Sequence, residues 1–364
     1  MITYFSTFIT GFNSLIKESL RQKIRDADII NIFDGLIIYR TSSNLENIKE
    51  IRFFNNSFVL LKLFKRTENE SLNQLIKKIN NDQKLPRLIL KNLPAKKCFF
   101  RVIISKENRM IPTSRSLISD LEKKFSKITT LKVSRSKPDI EFWLMLRREG
   151  VGFFGMRFTQ NHDQEKYLAK GELRSELAHI LCLISEPSSK EICLDPFCGS
   201  GAIPIERVLS YPCKYVIASD NNSKIIDNLR LKVKNINNAR IKDKLLIKYW
   251  DAVYLKEIED NEIDKIVTDP PWGLHFKNMD LDNFYLNMLK EFNRILRMGG
   301  IIVILISQKE LFEKVLRKFS DELRIIREYS TLVSGQKATV YKINKPLSLA
   351  SDKLTISGDV QILS

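Results

Sequence analysis

Cys193-Leu194-Asp195-Pro196-Phe197-Cys198-Gly199-Ser200-Gly201-Ala202-Ile203-Pro204-Ile205-Glu206 reads as a strand, a tight turn and a helix in succession. The apolar run from Glu191 to Leu194 ends at Asp195, small residues turn the chain from Cys198 to Gly201, and a helical pattern opens at Ala202. Glycines in such a turn let the backbone approach a ligand, and a helix N-terminus offers unpaired N–H groups. The turn is Gly-Ser-Gly, without G-x-G-x-x-G spacing and without a following Gly-Lys-Ser/Thr, so it does not read as a phosphate-cradling P-loop. A carboxylate beside the turn suits a cationic or hydroxyl-rich ligand. Taken alone, the stretch also fits a plain βα turn, the lesser of the two readings.

Three more strand-end acids follow it. Val216 to Ser219 leads to Asp220, 25 residues after Asp195, close to the spacing of about 20 at which an acidic residue holds ribose hydroxyls. Leu245 to Trp250 leads to Asp251, and Ile266-Val267-Thr268 leads to Asp269-Pro270-Pro271-Trp272-Gly273. Carboxylates repeated at strand C-termini line the crevice in which open α/β sheets bind ligands.

The ordered set D-P-F-C-G-S-G, S-D-N, W-D-A and T-D-P-P-W-G resembles the S-adenosylmethionine-dependent methyltransferases of exocyclic base amines. Asp269 to Trp272 fits their (Asp/Asn)-Pro-Pro-(Tyr/Phe/Trp) signature. The pairing of D-P-F-C-G-S-G with D-P-P-W-G is most similar to RNA methyltransferases that carry a THUMP domain. That resemblance implies an α/β fold: a class I, Rossmann-like methyltransferase domain preceded by α+β ferredoxin-like and THUMP domains.

A chain of 364 residues has room for two or three cores. Its five cysteines (Cys98, Cys182, Cys193, Cys198, Cys213) show neither C-x-x-C spacing nor a matching His pair, so neither zinc nor a disulfide framework is expected. The opening residues read as a strand rather than a signal peptide, and no apolar run reaches membrane-spanning length. The expectation is a reduced, cytoplasmic protein without metal. Its charge is uneven. Of the formal +17, residues 1–174 hold 33 Lys/Arg against 18 Asp/Glu, and residues 175–364 hold 27 against 25. Compositional bias would act on both halves alike, so a basic front half suggests phosphate binding.

In chain order, residues 1–65 read as a small α+β segment: a strand at Ile2 to Thr7, an amphipathic helix with Leu15, Ile16, Leu20 and Ile24 on one face, then strands at Asp28 to Ile32, Gly35 to Tyr39 and Phe58 to Leu63. It resembles the ferredoxin-like start of the family. Residues 66–160, with the strands Phe99 to Ile104 and Asp139 to Leu146, a helix that Ser114 could cap, and a hairpin at Gly150 to Gly155, resemble the THUMP domain. Lys96, Lys97, Arg101, Arg109, Arg115, Lys123 and Lys124 are its candidate RNA contacts, by resemblance to the acceptor end of tRNA. Residues 161–190 read as a linker helix in which Ser175 stands where the family has Pro; Ser caps helices, so the structural role survives. His162 and His179 read as surface or packing residues. Residues 191–345 are the expected catalytic domain, with a helix over Phe284 to Leu296, a turn at Arg297 to Gly300, a strand from Ile301 to Ser307, a helix over about Glu310 to Phe319, and last strands at Arg324 to Tyr329 and Thr339 to Ile343. Residues 346–364 read as a tail.

The expected site places Asp195, Phe197, Cys198 and the Gly199-Ser200-Gly201 turn against the cofactor's methionine end, whose ammonium needs an acceptor. Asp220, with Asn221 beside it, takes the ribose hydroxyls. Asp251 accepts from the adenine amino group, and Ala252 offers its N–H to a ring nitrogen. Asp269 and the Pro270 carbonyl accept the N–H bonds of a substrate amine, Pro271 helps hold them, and Trp272 stacks on the base. His275 reads as a loop residue. The family resemblance implies N2-methylation of a tRNA guanosine. The alternatives are rRNA guanine-N2 or adenine-N6 methylation and, from another class, a non-catalytic RNA-binding protein with a relic fold. If the basic half binds phosphates, a fragment of about residues 1–165 binds tRNA with an affinity that falls steeply as salt rises. A folded fragment without salt-sensitive RNA binding would return that charge to compositional bias.

Overall fold

Tyr4 and Phe5 are buried on β1 (Ile2–Thr7), and α1 (Asn13–Lys23) buries Ile16 and Leu20, four residues apart and therefore on one face. These begin a computed structural model that describes residues 1–95, 97–107, 109–111, 115–159, 172–273 and 280–347, with Arg115 and Leu117 described for the backbone alone. The chain divides into two compact units, Met1–Gly171 and Glu172–Ser364.

In the first unit, β2 (Asp28–Phe33) and β3 (Leu36–Thr41) form a hairpin. Asn44 caps the short α2 (Leu45–Lys49) by accepting the Asn47 N–H at 2.9 Å, and β4 (Asn56–Lys65) follows. The four strands run antiparallel in the order β2-β3-β1-β4, with one helix after β1 and one after β3, which is the ferredoxin-like arrangement. A capping box between Ser71 and Gln74 starts α3 (Leu72–Asn80), and Pro86 sits in the first turn of α4 (Leu85–Asn92). Next come β5 (Phe99–Lys106), β6 (Arg109–Met110), α5 (Arg115–Thr129), β7 (Lys132–Val133), β8 (Ile140–Leu146) and β9 (Val151–Arg157). Ser114, the expected cap of α5, lies outside the described residues.

The two front segments of the sequence reading share one sheet. β4 pairs with β1 on one side and β9 on the other, giving nine strands among the described residues. Phe5 stacks on Phe58 with ring centroids 4.5 Å apart in the core beneath it. Gly155 on β9 makes room for that ring: a Cβ there would stand 2.4 Å from Phe5 Cε1 and 2.9 Å from the Val59 carbonyl oxygen.

The second unit holds α6 (Ser175–Ile184), β10 (Ile192–Asp195), α7 (Ala202–Ser210), β11 (Tyr215–Asp220), α8 (Ser223–Asn235), α9 (Ala239–Lys244), β12 (Leu245–Tyr249) and β13 (Ile263–Thr268). After these come α10 (Leu281–Ile295), β14 (Leu296–Ile306), α11 (Lys309–Leu316), β15 (Arg324–Val333) and β16 (Gln336–Asn344). The strand order is β12-β11-β10-β13-β14-β16-β15, parallel from β12 through β14, with β16 running against both of its neighbours. Among the described residues β16 is the last strand, and it is the reversed one. Chain order reverses at β10, so the crevice opens at the carboxyl ends of β10 and β13. One core cluster joins Tyr285, Met288 and Phe292 of α10 to Ile302 and Ile304 of β14.

Several expectations need correction. Residues 297–300 are not a turn between helix and strand. They lie inside β14, which bulges between the pairs Ile263–Leu296 and Lys265–Ile301, with Gly299 at φ 76° and its N–H on the Lys345 carbonyl at 2.7 Å. α10 begins three residues before Phe284 because Asp280 caps it through the Asn283 N–H at 3.1 Å. Ser175 does not cap α6. It is the first helical residue, the position at which Pro is tolerated. Ser334 and Gly335, at φ 50° and 82°, form the two-residue loop joining β15 to β16, where positive φ at both positions matches the strand twist.

His179 is a packing residue, with Nδ1 2.8 Å from Glu206 Oε1 and Nε2 2.8 Å from the Tyr211 hydroxyl, all buried. His162 and residues 348–364 lie outside the described residues. All five cysteines are free thiols, and all but Cys98 are buried. Among the described residues no group of acidic, His or Cys side chains is arranged to hold a metal ion, and no helix is long and apolar enough to cross a membrane. Replacing Gly155 by Ala should destabilise the first unit by about 1–3 kcal/mol, because the added methyl overpacks against Phe5 and backbone. Urea unfolding reads the change, and an unaltered midpoint would refute it.

Candidate active site

β10 delivers Asp195 to the point where chain order reverses. Its carboxyl is 1% exposed. Oδ1 accepts the Thr268 hydroxyl from β13 at 2.7 Å and the Phe197 N–H at 3.3 Å, while the buried Oδ2 has no hydrogen-bond partner. Burial pushes this carboxyl up to about 7, against those two hydrogen bonds and with the charges of Asp269 and Asp220 adding to the rise. Thr268, which carries no motif signal of its own, thus belongs to the site.

The turn after Asp195 is built by its neighbours. Gly201, at φ 85°, stands under Leu229 of α8, where a Cβ would come within 2.4 Å of Leu229 Cδ1. Gly199, at φ 49°, would carry a Cβ with nothing within 4 Å, so the turn faces open space there. Cys198 is buried beneath, its N–H on the Ser219 carbonyl at 2.9 Å, and Ser200 gives its carbonyl to Lys232 Nζ at 3.0 Å. Phe197 packs its ring 5.7 Å from that of Phe284.

Asp220 ends β11 half-buried. Oδ2 accepts the Gly199 N–H at 3.2 Å and Oδ1 accepts the Asn222 N–H at 2.9 Å, and burial outweighs both in raising its pKa. The carboxylate therefore ties the glycine turn to the start of α8. A carboxylate has about four lone-pair sites, so acceptor capacity remains for hydroxyl groups. Asn221 is exposed beside it, and the neighbouring Asn222 caps α8 through the Lys224 and Ile225 N–H groups. Asp251 follows β12, exposed, with one oxygen on the Val253 N–H at 3.1 Å; Ala252 is buried.

Asp269 follows β13, and its Oδ1 accepts the Trp272 indole N–H at 2.8 Å. Dense surroundings push this carboxyl up to about 7, and the indole bond draws it back. Pro270 is buried, while Pro271 and Trp272 are half-buried. His275 lies outside the described residues. The cofactor that the resemblance implies fits these groups. The unpartnered Asp195 oxygen suits an ammonium, the Gly199 turn leaves space, and Asp220 keeps acceptors for hydroxyls.

The front-half candidates differ among themselves. Arg101 donates from Nε to Glu141 Oε1 at 2.7 Å and from a terminal nitrogen to the Arg135 carbonyl at 3.1 Å, and Lys124 closes the end of α3 on the Ile79 and Asn80 carbonyls. These two hold the first unit together. Arg109 and Lys123 are exposed. Lys97 lines a cavity of about 310 Å³ with Lys49, Asp139, Arg157 and Phe158. Lys96 and the Arg115 side chain lie outside the described residues.

Residues 163–337 match the family described as UPF0020, RMKL-like, methyltransferase domain. Among curated proteins, the mouse tRNA (guanine(6)-N(2))-methyltransferase THUMP3 is 30% identical over 183 residues, 48% of this chain and 36% of that protein. The cattle U6 snRNA (guanine-N(2))-methyltransferase THUMPD2 is 30% identical over 142 residues, 39% of this chain and 27% of that protein. The matched stretch is thus about a third of these relatives' length. Among solved structures, TrmN from Thermus thermophilus has the same fold, with a TM-score of 0.74 at 19% identity, over 95% of this chain and all of that one.

The raised carboxyls carry a pH signature. A carboxyl near 7 in the folded state and 3.8 when unfolded contributes stability that is complete below about 3.8 and lost as pH rises through 7. Asp195→Asn removes one of two such groups, so in the ligand-free protein the variant should gain stability relative to the wild type between pH 4 and 7. Urea unfolding across that range reads it. A difference between the two proteins that does not change with pH would overturn the assignment.

Proposed function

We propose that this chain, whose residues 163–337 match the UPF0020 methyltransferase-domain family, is an S-adenosylmethionine-dependent RNA methyltransferase acting on the exocyclic N2 amine of a guanosine, in tRNA. The observation that carries the reading is Asp269. It is a strand-end carboxylate held by the indole of its own motif, at the same end of the sheet as the buried Asp195 and the turn-binding Asp220. The front unit is the RNA-binding half in this reading, with the ferredoxin-like segment followed by a THUMP domain, and a cytoplasmic location accompanies it.

S-adenosylmethionine, when bound, supplies a methyl group on a sulfonium centre. Asp195 and the Gly199 turn receive its amino-acid end, Asp220 the ribose hydroxyls, and Asp251 with the Ala252 N–H the adenine. The residues beyond β13 act on the base. An exocyclic amine is a poor nucleophile because its lone pair is delocalised into the ring. Asp269 and the Pro270 carbonyl accept its N–H bonds and turn the nitrogen out of conjugation. The two prolines carry no backbone N–H to compete for those acceptors. Trp272 offers a face on which an extruded base stacks. Asp269, with its carboxyl near 7, is also poised to take the proton that the amine sheds after transfer.

Asp269→Ala should leave cofactor and RNA binding nearly intact and lower single-turnover methyl transfer on the order of 100-fold or more, because the acceptor acts as the nitrogen becomes cationic. Transfer of labelled methyl groups to RNA measures the rate, and nucleoside mass spectrometry identifies the product. N2-methylguanosine is the expected product, and N6-methyladenosine would move the reading to the adenine alternative. A variant that methylates at the wild-type rate would sink the mechanism.

A further inference from the structure

The near-neutral charge of residues 175–364 conceals a basic corner. Residues 214–256 hold ten Lys/Arg against four Asp/Glu, and two of those four acids are Asp220 and Asp251 of the candidate site. The corner is made by β11, α8, α9 and β12, with β12 at the edge of the sheet. Some of its cations serve the fold: Arg240 and Lys244 donate to the Tyr211 and Cys213 carbonyls, and Arg230 pairs with Asp227. Lys224, Lys248 and Lys256 are exposed.

Aromatic rings stand among these cations. Tyr249 is 59% exposed and Tyr254 is 64% exposed. Tyr249 pairs in register with Asp220, and Tyr254 bridges to Asp251, so both rings belong to the end of the sheet that carries the site acids. Lys256 Nζ lies 5.8 Å from the centre of the Tyr254 ring, and Lys248 Nζ lies 5.7 Å from that of Trp250. Single exposed apolar residues are ordinary on a protein surface. Two exposed tyrosines among lysines, at the rim of a site that takes an extruded base, are a different case. Rings offer stacking faces to any base, and lysines neutralise the phosphates between them.

We propose that Tyr249 and Tyr254, with Lys224, Lys248 and Lys256, form an RNA-contacting surface on the catalytic unit that stacks unpaired nucleotides flanking the modified one. This rests on the RNA methyltransferase reading and adds to it a preference for a substrate whose target lies in single-stranded or opened RNA. The surface holds the strand; it does not touch the reacting atoms.

The test uses the full chain and the double variant Tyr249→Ala/Tyr254→Ala, with Tyr249→Phe/Tyr254→Phe as the ring-retaining control. Loss of each ring should weaken binding of a 12-nucleotide unstructured RNA by about tenfold, with little change for a duplex of the same length. The Phe pair should bind as the wild type does. In methyl transfer the Ala pair should raise KM for RNA and leave the rate at saturating RNA unchanged. Wild-type protein that methylates RNA, beside an Ala pair with unaltered RNA affinity and KM, overturns the surface while leaving the function intact. So does an Ala pair whose only change is the loss of self-association in light scattering. A wild type that binds the RNA through these rings and methylates none of it fails the function and keeps the surface.

Discussion

A carboxyl placed where water does not reach governs the second unit. Asp195 sits at the reversal of the parallel sheet, holds β13 through Thr268 and its own turn through Phe197, and leaves one oxygen without a donor. An unsatisfied buried polar group costs about 1–3 kcal/mol. In the proposed reading a ligand bearing a donor meets that oxygen. Asp220, one strand over, differs in that both of its oxygens hold backbone N–H groups, of Gly199 and Asn222, and so fix the glycine turn and the start of α8.

How much of this was legible in the sequence follows from which forces are local. The strand-turn-helix reading at Asp195 and the acids at Asp220, Asp251 and Asp269 could be placed because apolar runs, small residues and acids declare themselves within a dozen positions. The bulge at Gly299 could not, since two glycines after a helix read as a turn until a neighbouring strand and Lys345 supply partners. Thr268 was invisible as a site residue because a threonine ending a strand is ordinary, and only its proximity to Asp195, 73 positions away, gives it a role. The fusion of the front segments into one sheet depends on pairing between β4 and β9, far apart in the chain. Asn222 rather than Asn221 carries the bonds next to Asp220, a difference of one residue that turn geometry alone decides.

Charge was the coarsest signal. Counting lysines and arginines over halves located a basic front unit, yet Arg101 and Lys124 there are bonded within the fold and offer little to a phosphate. The same count concealed the corner beside β12, because acids elsewhere in the second unit cancel it. A side chain's worth to a polyanion depends on exposure and on the partners it already has. Both are properties of the folded surface rather than of composition.

The bond between Trp272 and Asp269 shows how the motif acts as a unit. The indole N–H finds its acceptor in Asp269, and in the proposed reading a substrate amine meets the same carboxylate. With one oxygen on the indole, the carboxylate is fixed in orientation and keeps lone pairs for a second donor. That bond also favours the ionised form against the desolvation that pushes the carboxyl up to about 7. A phenylalanine in place of Trp272 would keep a stacking face and lose both effects, since it has no donor. The prolines add stiffness and withhold competing N–H groups. The order acid, proline, proline, aromatic thus provides an acceptor, its rigid frame and a ring hydrogen-bonded to the acceptor it serves.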